Sequence, residues 1–319
     1  MSDIKSIKDK FISDFKSYLP LLEKAVSCND MQWTIKGFLD IYKNVYTISS
    51  DTKVVSKILE IHIFPIISEM ADKMNYEIKL ADKQNYYPDL TFINKDDKNI
   101  KFAVDIKTTY RTFRKIGKGY KSEAGFTLGS HGSYFTDRNS KKNIQFPYKD
   151  YSGHFCLAIV YSQAKEKDVD SRDLDEMKIF HIKELGSSLS DPVKRKIVEK
   201  DFLTEIMSVI KDLKFYFVEK WKIASDSQGS GNTANIGSTK TEQDLADESG
   251  VFSKLGEEYF DGYWQNYNIM TITLPDGSSR KLNNIWDYLA YRNKTSDFEK
   301  VGEGAKSKPD YYNTQNTKD

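Results

Sequence analysis

Two aspartates and a lysine in the middle of the chain have the types and spacing that phosphodiester chemistry requires. Asp105 and Lys107 lie two residues apart in an apolar stretch, so in a strand both side chains project from one face. Asp89 follows Pro88 at the start of the preceding apolar stretch, and a hairpin would bring it opposite Asp105. Two carboxylates directed at one point repel each other unless a cation lies between them. The pattern therefore predicts a site for a hard divalent cation, with Mg²⁺ favoured.

A metal and a lysine together would suit hydrolysis of a phosphodiester. A bound metal orients the phosphate, neutralises charge on its oxygens and lowers the pKa of a bound water. Lys107 would stabilise the developing charge or orient the attacking water. The carbonyl of Ile106 would add a third oxygen ligand, and Glu60 is a candidate accessory carboxylate that holds a second metal or relays a proton. We expect Mn²⁺ to substitute for Mg²⁺, since both ions suit carboxylate ligands.

This spacing is weakly specific by itself. The acidic-x-Lys spacing recurs at Asp51–Lys53, Asp96–Lys98 and Glu176–Lys178, and the Pro-Asp pair recurs at Pro309-Asp310. The alternative interpretation is that Asp89 and Asp105 are ordinary surface carboxylates at strand ends. Apolar residues alternate with Asp105 along its stretch, namely Phe102, Val104 and Ile106. They indicate that this strand belongs to a buried sheet, which favours the functional interpretation.

Hydrophobic periodicity predicts the elements that would position these residues. Helical spacing covers residues 4–26 and 52–74, and Pro65 is expected to kink or split the second helix. Residues 88–93 and 100–109 predict a strand hairpin, and residues 154–162 a buried central strand. Further helices are expected at 191–213, 253–267 and 281–293, a strand at 214–224, and a Gly/Ser/Asn/Thr loop at 225–238. We predict an α/β fold with a central mixed β-sheet flanked by helices.

The composition limits the class of protein. The 319 residues, 39% hydrophobic and 30% charged, are expected to form a single domain over residues 1–293 and a polar, flexible tail over 294–319. No apolar run is long enough for a membrane span, and Met1–Lys10 lacks the apolar core of a secretion signal. Cys28 and Cys156 form no C-x-x-C pair, which favours a reducing compartment such as the bacterial cytoplasm.

The charge distribution is more informative than the net charge of +1. Residues 111–121 contain basic residues without an acidic one, namely Arg111, Arg114, Lys115, Lys118 and Lys121. A local basic stretch in a nearly neutral protein indicates a directed anionic partner. The alternative is a solvated loop, because charge runs of this kind are common.

An ordered series of short blocks resembles the PD-(D/E)xK nuclease superfamily and, within it, the type II restriction endonucleases. The blocks are Ser50–Val54 with Glu60 and Pro65–Ile67, Lys83–Asn85 with Tyr87–Asp89, Asp105–Tyr110, Phe126–Gly129, Lys142–Ile144, and Gly229–Thr233 with Asn235–Ser238. They occur in the same order over roughly residues 45–290, which is far more specific than one Pro-Asp and one Asp-x-Lys motif. The resemblance implies a restriction-endonuclease-like fold that cleaves double-stranded DNA.

Roles for individual residues follow from this resemblance. It implies that Asp89 and Asp105 bind Mg²⁺, that Lys107 is the catalytic lysine and that Glu60 is the accessory acid. Gln84 and Asn85 would form a short minor-groove loop. The major-groove recognition loop would consist of Gly229, Ser230, Gly231, Asn232, Thr233 and Asn235, whose residue types suit contacts with base edges. Weaker candidates for contacts near the catalytic centre or the phosphates are Lys53, Thr108, Thr109 and Thr127.

The resemblance also implies a homodimer on a palindromic site, because each subunit reads one half-site and cuts one strand. It suggests GATATC cut to blunt ends, although Ala234 stands where the resembled loop has a threonine. The N-terminal part, residues 1–49, is a candidate dimerisation region through Trp33, Phe38, Tyr42 and Tyr46, with burial in the core as the alternative. A cognate DNA methyltransferase is expected as a genetic companion.

Three alternatives stay open on the sequence. The first is a nuclease of the same fold that acts in repair or phage defence without a fixed site. The second is a non-catalytic DNA-binding module with inert carboxylates. The third is a small-molecule enzyme, since Gly229–Ala234 also matches the dinucleotide-binding glycine pattern, which requires that a helix begins at the loop.

Overall fold

A five-stranded mixed β-sheet lies at the centre of the molecule. The computed structural model describes residues 2–28, 31–39, 41, 45–83, 85–116, 119–123, 125–164, 208–229, 234–275 and 277–312. The helices are α1 (Ser2–Val26), α2 (Thr52–Lys73), α3 (Glu242–Ala246), α4 (Glu257–Asn266) and α5 (Ile285–Tyr291). The strands are β1 (Gly37–Leu39), β2 (Val45–Thr47), β3 (Tyr76–Leu80), β4 (Leu90–Asn94), β5 (Lys101–Tyr110), β6 (Thr112–Ile116), β7 (Gly119–Glu123), β8 (Thr127–Ser130), β9 (Gly153–Gln163), β10 (Ile210–Glu219), β11 (Ala224–Gln228), β12 (Asn235–Ser238), β13 (Thr271–Thr273) and β14 (Ser279–Lys281).

The central sheet has the strand order β10–β9–β5–β4–β3. Strands β5 and β9 are parallel, and the other neighbouring pairs are antiparallel. The predicted hairpin of β4 and β5 and the predicted buried strand β9 are both confirmed. In this register Leu90 pairs with Val104, and Asp105 pairs with Cys156. Asp89 therefore immediately precedes the paired part of β4, beside the middle of β5.

Helices α1 and α2 cover one face of the sheet. Phe11 and Phe15 of α1 stack on Phe102 and Phe217, with ring centroids 4.3 and 3.8 Å apart. The sequence predicted a kink or a split at Pro65, and the split is wrong, because α2 is one helix that continues through Pro65. Proline removes the hydrogen bond to the carbonyl four residues earlier. Here that carbonyl belongs to Ile61, a residue that is 65% exposed and therefore lies on the solvent side of the helix.

A smaller sheet of order β11–β12–β8 packs on the other face together with α4 and α5. The buried aromatic residues Trp264 of α4 and Tyr288 of α5 belong to the core on this side. Both helices fall within the predicted ranges 253–267 and 281–293, which are confirmed. The loop predicted at 225–238 is wrong at both ends, because β11 and β12 flank a shorter connection.

The helix predicted over residues 191–213 is wrong where the structure describes it, since β10 begins at Ile210; residues 191–207 lie outside the described residues. Ile210 and Leu213 are both buried, and their spacing of three imitates one face of a helix. The register of β10 on β9 shifts between Lys211 and Lys214. This irregularity brings Ile210 and Leu213 to the same core, because it interrupts the strict alternation of a strand.

Residues 294–312 pack on the domain, in contrast to the frayed tail that the sequence predicted. The backbone N–H of Lys306 donates to Asp226 Oδ1 at 3.0 Å, and its carbonyl accepts from Trp286 Nε1 at 2.7 Å. Tyr312 donates to Asp287 Oδ1 at 3.1 Å. Residues 313–319 lie outside the described residues. In the described part of the chain, no helix is both long and apolar enough to cross a bilayer.

The basic stretch forms a β-hairpin that continues directly from β5. In this basic hairpin, residues 112–123, β6 pairs with β7, and Arg114 lies opposite Lys121 in the register. Arg111 lies before this hairpin, and its Nε donates to Glu242 Oε2 of α3 at 2.7 Å. Within the basic stretch that the sequence showed, Arg111 therefore belongs to a half-buried ion pair, and the residues after it belong to the hairpin.

Candidate active site

The structure brings Asp89, Asp105 and Lys107 together at the middle of β5. Asp105 and Lys107 share one face of the strand, and Lys107 Nζ lies 2.7 Å from Asp105 Oδ2. Asp89 Oδ2 accepts a hydrogen bond of 2.7 Å from the backbone N–H of Ile106. That N–H is free for Asp89 because the pairing of β4 with β5 extends only to Leu90. The end of one strand thus fixes a carboxylate on the backbone of its neighbour.

The electrostatics show two carboxyl groups that share a poorly solvated space. Burial, and then the charge of Asp105, raise the pKa of Asp89 from 3.8 to about 8. Burial alone would lower the pKa of Lys107, but the charges of Asp105 and Asp89 outweigh it and raise that pKa. Asp105 itself is 8% exposed. One lysine therefore offsets only part of the negative charge, and the site would be stabilised by a further cation.

The donor atoms fit a hard divalent cation. Two carboxylates face each other, and the Ile106 carbonyl leaves the strand on the edge from which its N–H reaches Asp89. Among the described residues, no group of three or more His, Cys, Asp or Glu side chains converges. A site with few protein ligands suits Mg²⁺, which keeps several of its waters.

Glu60 lies near the site but outside the carboxyl pair. A cavity of about 350 Å³ is lined by Glu60, Lys57, Asp89 and Ile106, among other residues. Glu60 Oε2 is 2.6 Å from Lys57 Nζ, one turn earlier on α2. The structure therefore places Glu60 and Asp89 on one cavity, with the Glu60 carboxylate already paired. Its role as the accessory acid stays a prediction.

The candidate recognition residues belong to the smaller sheet. The backbone N–H of Gly229 donates to the carbonyl of Asn235 at 2.9 Å, which closes the connection between β11 and β12. Thr127 of β8 is adjacent, since a Cβ on Gly229 would lie 2.4 Å from Thr127 Cγ2. Ser230, Gly231, Asn232 and Thr233 lie outside the described residues. The element after the loop is strand β12, so the helix that a dinucleotide-binding pattern requires is absent at that position.

The other predicted DNA-binding residues occupy several places around the site. Asn85 is exposed between β3 and β4, and Gln84 lies outside the described residues. Lys53 is exposed in the first turn of α2, where Asp51 caps the helix by accepting from its backbone N–H at 2.9 Å. Thr108 and Thr109 continue β5 beyond Lys107, and Thr109 Oγ1 donates to the Gly125 carbonyl at 3.2 Å.

The sequence interpretation missed a buried polar layer behind the carboxyl pair. Tyr87, two residues before Asp89, shares a 3.0 Å hydrogen bond with His154 Nδ1. Lys220, which follows β10, is 2% exposed and its Nζ lies 5.1 Å from the centre of the Tyr87 ring. The sequence held no signal that singles out Lys220, because the stretch 214–224 also contains Lys214 and Lys222.

This fold and this site together define the restriction-endonuclease class of nucleases, in which a mixed sheet carries carboxylates and a lysine at a central strand. The family model described as "Restriction endonuclease EcoRV" matches residues 29–194 and 187–293. The type II restriction enzyme EcoRV of Escherichia coli is 32% identical over 268 residues, which cover 84% of this chain and 94% of that enzyme. The chain therefore belongs to the EcoRV family of restriction endonucleases and is a site-specific deoxyribonuclease.

Proposed function

We propose that the protein is a Mg²⁺-dependent homodimer that cuts both strands of duplex DNA within a short palindromic site. The observation that carries the proposal is the convergence of Asp89 and Asp105, with Lys107 held 2.7 Å from Asp105. Mn²⁺ is expected to replace Mg²⁺, since the donors are carboxylate and carbonyl oxygens. We further propose GATATC cut to blunt ends, from the similarity to the E. coli enzyme and the retained Asn232 and Thr233.

The residues of the site have separate parts in this proposal. Asp89, Asp105 and the Ile106 carbonyl would hold the metal, which supplies charge neutralisation at the phosphate and a more acidic water. The Ile106 N–H fixes Asp89 by its 2.7 Å hydrogen bond, so the carboxylate does not have to be ordered when substrate binds. The Lys107 ammonium, oriented by Asp105, donates to the negative charge that grows on the phosphate oxygens. Glu60 would act as an accessory acid from across the cavity.

Subunit association is supported by an exposed apolar surface in the N-terminal part. Phe38 of β1 is 52% exposed and Ile41 is 85% exposed. Large apolar side chains on a hairpin are expected to be covered by a second subunit. Trp33, by contrast, is fully buried and belongs to the core, and Tyr42 lies outside the described residues. A palindromic site matches a dimer because one two-fold axis relates both half-sites.

The cellular setting follows from the proposed activity. Host DNA would be cut at every unprotected site, so a cognate DNA methyltransferase is expected to accompany the gene. The bacterial cytoplasm, where the DNA lies, is the proposed location. Both cysteines, Cys28 and Cys156, are free thiols in the structure, which suits a reducing compartment.

The test is digestion of a long, fully sequenced, unmethylated duplex with the purified protein and Mg²⁺. Asp105→Ala and an EDTA sample report on the metal site, and Asp9→Asn, an exposed aspartate of α1, is the matched control. We expect discrete fragments that end at GATATC with the wild type and Asp9→Asn, and no fragments in the other two samples.

Other outcomes separate the alternatives. Discrete fragments that end at another sequence would keep the chemistry and reject GATATC. A continuous smear would favour a nuclease of repair or phage defence without a fixed site. Duplex binding without cleavage in Mg²⁺ or Mn²⁺ would leave a non-catalytic DNA-binding module and reject the proposal.

A further inference from the structure

A lysine ammonium is enclosed behind the active site without a hydrogen-bond partner. Lys220 is the first residue of a short 3-10 helix, Lys220–Ile223, that follows β10. The residue is 2% exposed, and its Nζ is buried with no partner among the described residues. A buried charge without a partner opposes folding. The buried ammonium of Lys220 is therefore not explained by a contribution to stability.

The sheet register and the packing around Lys220 together place this lysine on the same side of the sheet as the catalytic carboxylate. Val218 pairs with Cys156, which pairs with Asp105 across β10, β9 and β5. Cross-strand partners project from one face. Lys220 lies on this same side, because its Nζ is near the ring of Tyr87, which packs in one core with Val218 and Cys156. Burial lowers the pKa of Lys220 to about 8, and the charge of Asp105 is the largest effect that opposes this shift and favours the ammonium form.

The surroundings of the ammonium are aromatic and dry. Its Nζ lies 5.1 Å from the ring centre of Tyr87, 5.6 Å from that of Phe135 and 5.9 Å from that of Tyr148. A Cβ placed on Gly129 would lie 3.9 Å from it. Ring faces hold a cation weakly and do not neutralise it. The charge therefore acts over a longer distance than it would in water, because little solvent screens it.

Lys222, two residues later, shows the contrasting arrangement. Its Nζ lies 2.9 Å from Glu219 Oε2 and 3.1 Å from Glu248 Oε2. Its side chain is 31% exposed, so both solvent and carboxylates neutralise its charge. The same residue type on the same short helix thus provides a matched comparison for the enclosed ammonium.

We propose that Lys220 is a positioning residue for DNA cleavage, whose enclosed ammonium is a fixed counter-charge behind Asp105 and Lys107. Its Nζ is buried, so it acts on the substrate through the electrostatic field at the site and through its charge interactions with those two side chains. Negative charge grows on the phosphate during hydrolysis, and a preorganised cation stabilises it without reorganisation at that moment. The inference rests on the proposed active site.

The test compares Lys220→Met with Lys222→Met in the full-length protein. Three quantities are measured: the single-turnover cleavage rate in Mg²⁺, the Kd for cognate DNA with Ca²⁺ in place of Mg²⁺, and the urea midpoint of unfolding. For Lys220→Met we expect a rate at least about tenfold lower, a Kd within about twofold of wild type, and a urea midpoint that is unchanged or higher because an unpaired charge is removed. Lys222→Met is expected to cleave at the wild-type rate.

Two results would overturn the inference. One is a Lys220→Met protein that cleaves at the wild-type rate. The other is a loss of rate that is matched by a lower urea midpoint and weaker DNA binding, as a merely structural residue would give. If Lys220→Met does not fold, Lys220→Gln, neutral and of similar length, is measured against the same criteria. Wild type and Asp105→Ala are assayed beside them: if wild type does not cut, or Asp105→Ala still cuts, the proposed function itself fails.

Discussion

Replacing Asp89 with asparagine should stabilise the metal-free protein at alkaline pH. The folded state raises the pKa of Asp89 from 3.8 to about 8 through burial and the charge of Asp105. Between these values the folded protein holds a proton that the unfolded chain has released. The contribution of protonated Asp89 is therefore complete below about pH 4, decreases as the pH rises, and is lost above about pH 8.

The size of this effect follows from the interval between the two pKa values. Each pKa unit corresponds to ~1.4 kcal/mol, so the wild type would lose up to ~6 kcal/mol of unfolding free energy across the interval. Water that enters the site, or a shift of Asp105, would reduce this ceiling to several kcal/mol. Asparagine retains an oxygen for the Ile106 N–H, so the substitution removes the charge and keeps the bond.

Urea unfolding in EDTA between pH 5 and 9 measures the effect as the difference between Asp89→Asn and the wild type. Burial lowers the pKa values of His154 and His131, and such groups make stability decrease toward acid pH. They contribute equally to both proteins and cancel in the difference. The difference should grow with pH in favour of Asp89→Asn, while Asp9→Asn, on the exposed surface of α1, should follow the wild type at every pH.

A difference that stays within about 0.5 kcal/mol from pH 5 to pH 9, the range typical of surface substitutions, would refute the reasoning. It would mean that the two carboxyl groups are solvated and separate in solution. A second measurement is independent of the first. Mg²⁺ added at pH 8.5 should stabilise the wild type, because it binds the folded state only, and should stabilise Asp89→Asn much less.

Three further expectations concern the other parts of the site. Lys107→Met should lower the single-turnover cleavage rate by about a hundredfold or more while the Kd for DNA in Ca²⁺ stays near that of the wild type; equal losses of rate and affinity would contradict this. Alanine at Arg114, Lys115 and Lys121 of the basic hairpin should make the salt dependence of DNA binding less steep. The expected decrease is about 0.9 in the slope of log Kd against log salt for each phosphate that the protein no longer neutralises. The double variant Lys95→Ala with Lys98→Ala, at the opposite end of β5, should leave this slope unchanged. Gly237→Ala would place its Cβ 2.5 Å from the Ser227 carbonyl oxygen, so we expect weaker cognate binding and a lower urea midpoint, while Gly132→Ala, with ordinary contacts, should leave both unchanged.

The carboxyl pair could be predicted from the sequence because strands alternate with a period of two. Phe102, Val104 and Ile106 mark one face, so Asp105 and Lys107 must share the other, and a short turn to the previous strand leaves little choice for Asp89. The packing confirms this division of β5: these apolar side chains lie in the core against α1 and α2. Such local rules depend on neighbours in the chain and need no knowledge of distant contacts.

What the sequence could not supply depends on distant contacts. Lys220 becomes enclosed only when Tyr87, Phe135 and Tyr148 assemble around it from three separate segments. The β-bulge in β10 could not be predicted either, because the spacing of Ile210 and Leu213 is also that of one face of a helix. The pairing of Glu60 with Lys57 follows from their spacing of three residues on one helix. The distance of Glu60 from the carboxyl pair does not, because it depends on how α2 packs on the sheet.

The basic hairpin could be lost in evolution without changes to the rest of the domain. Its two strands pair with each other and with no other strand in the described part of the chain. Thr112 lies opposite Glu123, so the chain leaves and re-enters the domain at points only about 5 Å apart. A single deletion in the gene could therefore join Arg111 to Gly125 without displacing β5. The basic residues of the hairpin can then be gained or lost together, while selection acts separately on the strand that carries the carboxyl pair.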